Sequence, residues 1–193
     1  YATQLILGDS AHPVLSREFY LRFPGGMWAD LEEQGYFLAV VPGDEQNRIY
    51  LGANSHLGRF YGVQTLKQLI KGGSLYVADI LDKPTVACRG IPMGLQWFEQ
   101  RNGEALRRLT QLKLNFVWAQ GSFLNDCLST DNWRLDFTPY QRAAFQEFIE
   151  LYRKNFIDVW IAFGPRGKNP PLQYSSAADI DTTIQNLLIA HES

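Results

Sequence analysis

The stretch Arg89-Gly90-Ile91-Pro92-Met93-Gly94-Leu95-Gln96-Trp97-Phe98 separates two parts of the chain that differ in their pattern of predicted strands and helices. An apolar run that carries two glycines is followed at once by a polar turn and a helical pattern, which predicts a buried strand opening a new domain. The residues before it have the pattern of one complete small domain, and those after it have the pattern of the beginning of a larger one. We therefore predict two domains, at residues 1–85 and 86–193.

The first domain is predicted to be α+β, a sheet with a helix packed on one face. Two extended runs around a polar connection, at 36–41 and 48–53, are typical of a hairpin. Asn54-Ser55 is a helix-start signal, and the apolar residues from Leu57 to Ile70 recur at helical spacing. The remaining β-prone runs predict further strands at Gln4–Leu7, Phe19–Phe23 and Leu75–Ile80.

After Phe98 strands and helices alternate, which predicts parallel strands joined by right-handed crossovers. Two architectures fit this order: an open doubly wound sheet, or the first part of a barrel. Residues 90–193 are fewer than half of the about 250 that a barrel needs, so a barrel cannot close within this chain. The predicted helices are Gly103–Leu112, Tyr140–Lys154 and one opening at Ser175-Ser176, and the predicted strands are Lys113–Ala119 and Ile157–Phe163.

Composition excludes several classes of function. The formal net charge is -2 with no block of like charge, which argues against a nucleic-acid partner. No apolar run approaches the roughly 20 residues of a membrane span, and no Gly-rich phosphate fingerprint follows a strand. Cys88 and Cys127 form no metal-spaced or redox motif and are predicted to be buried apolar side chains. No cofactor or metal site is predicted, because no ligand-spaced partners accompany the three histidines, His12, His56 and His191.

Several segments, in this order, resemble β-N-acetylhexosaminidases of glycoside hydrolase families 20 and 84. The segment Gly58-Arg59-Phe60-Tyr61-Gly62-Val63-Gln64-Thr65-Leu66 is similar to part of the N-terminal domain that precedes the barrel in these enzymes. Their Asp-x-Pro segment and Arg-Gly pair correspond to Asp82-Lys83-Pro84 and Arg89-Gly90. The resemblance implies an N-terminal helper domain followed by the first three βα units of a TIM-type (β/α)8 barrel, incomplete in this chain.

The resemblance also implies a retaining hydrolysis of N-acetylglucosaminides or related N-acetylhexosaminides. In that reaction the substrate's acetamido oxygen attacks the anomeric carbon, while an adjacent pair of acidic residues orients the acetamide and protonates the leaving oxygen. No adjacent acidic pair follows Arg89, so the catalytic pair is expected beyond Ser193 and this chain alone is predicted to be inactive. The implied partner is an N-acetylhexosamine-containing glycan, and the implied location is periplasmic or secreted.

Five residues are candidates for contacting the substrate, because the carboxyl ends of barrel strands build the active site. Trp97 could stack on a sugar face, and the two glutamines could hydrogen-bond sugar hydroxyls. Four of them have a plain structural alternative: the tryptophan could be a core aromatic, each glutamine a solvated amide, and the arginine a surface cation. The candidates are Gly94, Gln96, Trp97, Gln120 and Arg166.

An alternative function is a non-catalytic carbohydrate-binding or interaction module on a hydrolase framework. It is motivated by departures from family 84: Met93–Trp97 keep only the glycine of the usual Glu-Gly-Phe-Tyr-Gly, and Gln120 replaces a substrate-contacting lysine. Three parallel strands would also leave an open edge and uncovered helix faces. The isolated piece is therefore predicted to self-associate through this exposed surface.

Overall fold

The computed structural model describes residues 2–94, 103–120 and 138–161 of the 193-residue chain. The chain divides into two compact units. The first comprises Tyr1–Arg89 together with Arg107–Leu114, and the second comprises Gly90–Leu106 together with Asn115–Ser193. The first unit is therefore discontinuous, because one segment from the second half of the sequence belongs to it.

The first unit is built on a four-stranded sheet with the order β1-β3-β2-β6. The predicted hairpin is confirmed, since β2 and β3 pair antiparallel with Leu38 opposite Leu51. The edge strand β1 runs parallel to β3, and β6 is antiparallel to β2. Strands β4 and β5, of two residues each, pair antiparallel across a turn at Gly72 and Gly73, which both have positive φ. The strands are Ala2–Gly8 (β1), Tyr36–Val41 (β2), Gln46–Gly52 (β3), Ile70–Lys71 (β4), Ser74–Leu75 (β5) and Ala78–Asp82 (β6).

Helix α1 spans Pro13–Arg22 and covers one face of this sheet. The predicted strand at Phe19–Phe23 is therefore wrong. Pro13 fits the first helical turn, where its missing N–H costs nothing. Leu15 and Phe19 are four residues apart, so they lie on one side of the helix, and both are completely buried. The core on this face contains Leu15, Phe19, Trp28, Leu31, Phe37, Ala39 and Tyr50.

Helix α2 spans His56–Leu69 and covers the opposite face, as the sequence predicted within one residue at each end. It starts at Ser55, whose hydroxyl accepts a bond from the Gly58 amide at 2.9 Å and donates to the Glu33 carbonyl. The sheet thus has a helix on both faces, whereas one covered face was predicted. The core on this side contains Tyr36, Leu38, Ile49, Leu51, Ala53 and Tyr61.

The second unit contains three parallel strands in the order β7-β8-β9. Helices alternate with these strands along the chain: α3 lies between β7 and β8, and α4 lies between β8 and β9. Helix α3 is divided between the units, because its residues from Arg107 on belong to the first. Pro139 occupies the first position of α4, where the missing N–H of proline costs no helical hydrogen bond. The predicted helix at Ser175 lies outside the described residues. These elements span Gly90–Gly94 (β7), Gly103–Gln111 (α3), Phe116–Gln120 (β8), Pro139–Arg153 (α4) and Asp158–Ile161 (β9).

Two further predictions are corrected by the structure. A single strand was predicted at 75–80, but the structure has two, since β5 ends at Leu75 and β6 begins at Ala78. They are separate because β5 pairs with β4 across a tight turn, whereas β6 pairs with β2. Cys88 is exposed rather than buried, since it lies in the loop between β6 and β7. Cys127 lies outside the described residues. Within the described ranges, no helix is both long enough and apolar enough to cross a membrane.

Candidate functional site

Two of the five predicted substrate-contacting residues lie side by side at one edge of the parallel sheet. Gly94 is the last residue of β7 and Gln120 is the last residue of β8, and they are register partners. Both therefore stand at the carboxyl ends of neighbouring parallel strands, the position at which α/β barrels carry their active sites. The other three predicted residues, Gln96, Trp97 and Arg166, lie outside the described residues.

A second site was not predicted as such: a polar cluster beside a cavity of about 570 Å³ in the first unit. We call Tyr36, Thr65, Asp82 and Lys113 the Asp82 cluster. Strand β2 supplies Tyr36, α2 supplies Thr65, and β6 ends at Asp82. Lys113 comes from the separate segment 107–114 of the same unit. The cavity is lined by Gln34, Tyr36, Tyr61, Asp82, Lys83, Pro84, Thr85, Val86, Arg89, Leu112 and Lys113.

Short hydrogen bonds join the members of the Asp82 cluster. Lys113 Nζ donates to Asp82 Oδ2 and to the Tyr36 hydroxyl, each at 2.7 Å. Tyr36 donates to the same carboxylate oxygen at 2.8 Å and lies 2.6 Å from the Thr65 hydroxyl. The ammonium also lies 4.8 Å from the centroid of the Tyr36 ring. The Asp82 carboxylate therefore compensates the charge of Lys113, and the Tyr36 hydroxyl is hydrogen-bonded to both of them.

These contacts move two pKa values away from neutrality. Burial alone would raise the pKa of Asp82, but the hydrogen bonds from Lys113 and Tyr36, with the charges of Lys113 and Arg89, outweigh it and lower that pKa. Burial, together with the hydrogen bond to Asp82 and its charge, raises the pKa of the Tyr36 phenol far above its ordinary value. A general acid or base works best with a pKa near the operating pH. The Asp82 cluster is thus suited to holding structure rather than to transferring protons.

Arg89 forms the adjoining part of the cavity wall. Its Nη1 donates to Gln34 Oε1 at 2.9 Å and to the Val86 carbonyl at 2.7 Å. Its Nε donates to the Lys113 carbonyl at 3.0 Å. The guanidinium also lies 5.4 Å from the centroid of the Tyr61 ring. The cavity has the volume of a small-molecule pocket, but these cations of its wall are bonded to groups of the protein itself.

Sequence reasoning missed the Asp82 cluster because its members are far apart in the chain. Lys113 was read as the first residue of a strand, yet it has a φ of +55° and precedes β8. Its bond to Tyr36 spans 77 positions of sequence, which no local periodicity can reveal. The resemblance did single out Asp82-Lys83-Pro84 and Arg89-Gly90, and that was the one available signal.

No group of three potential metal-ligating side chains occurs among residues 2–94, 103–120 and 138–161.

Acidification should weaken the first unit through Asp82. A carboxyl whose folded pKa is lowered stabilises the protein above its unfolded pKa of about 3.9, and that contribution is lost as the pH falls through the folded pKa. The side chain is 41% exposed, so solvent screening limits the loss to roughly 1 kcal/mol. Urea unfolding at pH 6 and pH 3 should show a smaller pH effect for Asp82→Asn than for the wild type. Asp44→Asn, in the exposed hairpin turn, is the control that should retain the wild-type pH effect.

Comparison with known proteins relates both the fold and the first unit to glycoside hydrolases. The family model of glycosyl hydrolase family 20, domain 2, matches residues 6–83. The solved structure of CpGH84B is 21% identical, with a TM-score of 0.67 over 96% of this chain and 33% of that one. CpGH84D is 16% identical, with a TM-score of 0.62 over 97% and 32%. A GH138 enzyme targeting pectin rhamnogalacturonan II is 12% identical, with a TM-score of 0.50 over 83% and 24%.

The chain spans about a third of the length of the two family 84 structures that it matches. At these identities the structural likeness shows a common fold, while the family model ties the first unit to a sequence family. The resemblance predicted from the segment around Gly58 and from Asp82-Lys83-Pro84 is confirmed. The first unit is therefore similar, over residues 6–83, to domain 2 of glycosyl hydrolase family 20.

Proposed function

We propose that this chain is part of a β-N-acetylhexosaminidase-like glycoside hydrolase, comprising its N-terminal domain and the first three βα units of its catalytic barrel. The observation that carries the proposal is the parallel order β7-β8-β9 directly after a hexosaminidase-type domain. Strands β7, β8 and β9 alternate with α3 and α4, as they do at the beginning of a (β/α)8 barrel. The likeness to CpGH84B over 96% of the chain supports the same arrangement.

The proposed reaction is a retaining hydrolysis of N-acetylglucosaminides or related N-acetylhexosaminides. The acetamido carbonyl oxygen of the substrate forms a bond to the anomeric carbon as the glycosidic C–O bond breaks, and an acid of the enzyme protonates the leaving oxygen. Water then opens the cyclic intermediate with retention of configuration. Both catalytic carboxyl groups are proposed to lie in a longer polypeptide, after residue 193.

The part of the substrate site in this chain is proposed to be the edge at which β7 and β8 end. Gly94 and Gln120 are register partners there, and a glutamine amide is a group that can bond a sugar hydroxyl. In the sequence, Gln96 and Trp97 come shortly after β7, and Arg166 comes after β9. A glutamine and an indole suit a neutral sugar, because the amide donates and accepts while the ring covers a C–H face.

Exposed aromatic side chains in the second unit support the proposed self-association of this piece. Trp118 and Trp160 are register partners on β8 and β9, and their exposed fractions are 46% and 51%. Neighbouring apolar side chains on a sheet favour association when they are left open to water. Assays of the isolated chain therefore require light scattering to establish its state of assembly.

The test compares the 193-residue chain with the product of the longer coding sequence on a chromogenic N-acetylglucosaminide. We expect no turnover by the short chain and hydrolysis by the long one, with loss of activity when either residue of the adjacent acidic pair becomes an amide. Robust turnover by the short chain would overturn the placement of the catalytic pair. A long protein that binds chito-oligosaccharides in calorimetry without hydrolysing any N-acetylhexosaminide would replace the enzyme by the non-catalytic carbohydrate-binding module.

A further inference from the structure

We infer that Arg89 and Lys113 are positioning residues that set the starts of β7 and β8 side by side. Arg89 directly precedes Gly90, where β7 begins, and Lys113 shortly precedes Phe116, where β8 begins. Gly90 and Phe116 are register partners. The bond from Arg89 Nε to the Lys113 carbonyl, 3.0 Å long, joins the two segments just before they pair.

The Arg89-Gly90 pair combines an anchor with a close approach of two backbones. The guanidinium is held by the Gln34 side chain at 2.9 Å and by the Val86 carbonyl at 2.7 Å, so the chain enters β7 from a fixed point. A Cβ on residue 90 would collide with the carbonyl oxygen of Phe116, which is backbone and cannot move aside. Glycine at the first position of β7 therefore allows the first contact with β8.

Lys113 fixes the entry to β8 through an unusual helix end. Its amide donates to the Thr110 carbonyl and the Leu114 amide donates to the Leu109 carbonyl, each at 3.0 Å. This is the Schellman pattern, in which the left-handed residue is usually glycine. Here that residue is a lysine with a φ of +55°, and its ammonium bonds Asp82. The C-terminal end of α3 is thus tied to β6, within the first unit, by a charged side chain.

The end of α4 shows that this turn does not itself require a lysine. Phe156 has a φ of +56°, its amide donates to the Arg153 carbonyl, and the Ile157 amide donates to the Tyr152 carbonyl. The same backbone pattern therefore leads into β9 with an aromatic residue at the left-handed position. What distinguishes the entry to β8 is the ammonium and its partners in the Asp82 cluster.

This inference rests on the proposed function only in its consequence for the substrate site. Register is set along a whole strand pair once its start is fixed. A fixed Gly90–Phe116 pair therefore also fixes Gly94 opposite Gln120 at the other end. Arg89 and Lys113 act through the strands and touch no substrate in this scheme.

Hydrogen exchange of backbone amides in the 193-residue chain tests the inference. For Lys113→Met and for Arg89→Met we expect the amides of β8 to exchange about tenfold faster, and those of the β2–β3 hairpin to change less. Arg22→Met is the matched control, because Arg22 donates a hydrogen bond to Asp79 at 2.7 Å and forms an ion pair with Glu18 at 3.4 Å, both within the first unit. It should loosen the first unit and leave β8 unchanged. A Lys113→Met protein in which β8 keeps its protection, or loses no more than the hairpin does, would refute the positioning role.

Conservative variants keep the test decisive if a methionine variant does not fold. Lys113→Arg retains a cation for Asp82 and should restore slow exchange in β8. Arg89→Lys keeps the charge but cannot bond Gln34 and the Lys113 carbonyl together, so the amides of β8 should exchange selectively faster in this variant. Exchange of β8 at the wild-type rate in Arg89→Lys would count against the inference. Activity of the longer protein separates the two proposals. If the wild-type longer protein is inactive while the variants loosen β8 selectively, the proposed function is rejected and the positioning role stands. If the variants of the longer protein keep full activity and the exchange of β8 is unchanged, the positioning role is rejected and the proposed function stands.

Discussion

Phe19→Ala is expected to lower the free energy of unfolding of the first unit by about 3–5 kcal/mol, because truncating a fully buried aromatic removes its transfer energy and leaves a cavity. The Phe19 side chain has no exposed surface. Its ring centroid lies 5.0 Å from that of Trp28 and 5.5 Å from that of Phe37, so it joins α1, the 3-10 turn at 28–31 and the sheet. Urea unfolding followed by circular dichroism measures the loss.

Leu21→Ala is the matched control for this variant. Leu21 lies on the same helix but is 69% exposed. Its truncation should change the free energy of unfolding by no more than about 0.5 kcal/mol, as surface substitutions usually do. Equal effects of the two variants would show that α1 does not pack on the sheet as described.

Gly58→Ala is expected to destabilise the first unit by about 2 kcal/mol, although alanine is ordinarily the better helix former by about 1 kcal/mol. Gly58 lies in the first turn of α2, within the segment that resembles the hexosaminidase N-terminal domain. A Cβ there would collide with the Gly35 carbonyl oxygen and would lie 2.9 Å from the Cβ of Ala53. The carbonyl is backbone, so the helix would have to move away from the sheet to make room.

Gly103→Ala supplies the comparison, because Gly103 is also in the first turn of a helix and a Cβ there meets no atom within 4 Å. It should leave the midpoint of thermal unfolding unchanged or raise it slightly, while Gly58→Ala lowers it by several degrees. An unchanged midpoint for Gly58→Ala would mean that α2 does not approach the Gly35 backbone this closely.

Local sequence signals predicted those parts of the fold that short-range interactions determine. The hairpin follows from two apolar runs around a polar turn, and α2 follows from a capping serine and a helical period. The strand predicted at Phe19–Phe23 was wrong because aromatic residues also favour strands. Only the burial of these side chains against the sheet selects the helix. Pro13 is a usable signal for the start of α1, because proline is tolerated in the first helical turn.

The strand edge at Gly94 and Gln120 could be predicted from the sequence, whereas the Asp82 cluster could not. Gly94 and Gln120 could be placed at one edge because parallel strands bring their carboxyl ends together whatever the side chains are. The Asp82 cluster could not be assembled from the sequence, since Tyr36, Asp82 and Lys113 come together through long-range contacts. Resemblance marked one member, Asp82, and the neighbouring Arg89, without indicating that Lys113 would complete the cluster.

The discontinuous first unit has a consequence for biosynthesis. Asp82 and Tyr36 are made before Arg89, but their partner Lys113 belongs to the segment 107–114. At translation rates of 5–20 residues per second, the ribosome needs about 1–5 s to pass from residue 89 to residue 114. During that interval the polypeptide of the hairpin and of α1 and α2 has been synthesised, but the cation of the polar cluster has not. Its last native contacts can form only after the polypeptide of the first βα unit has been synthesised.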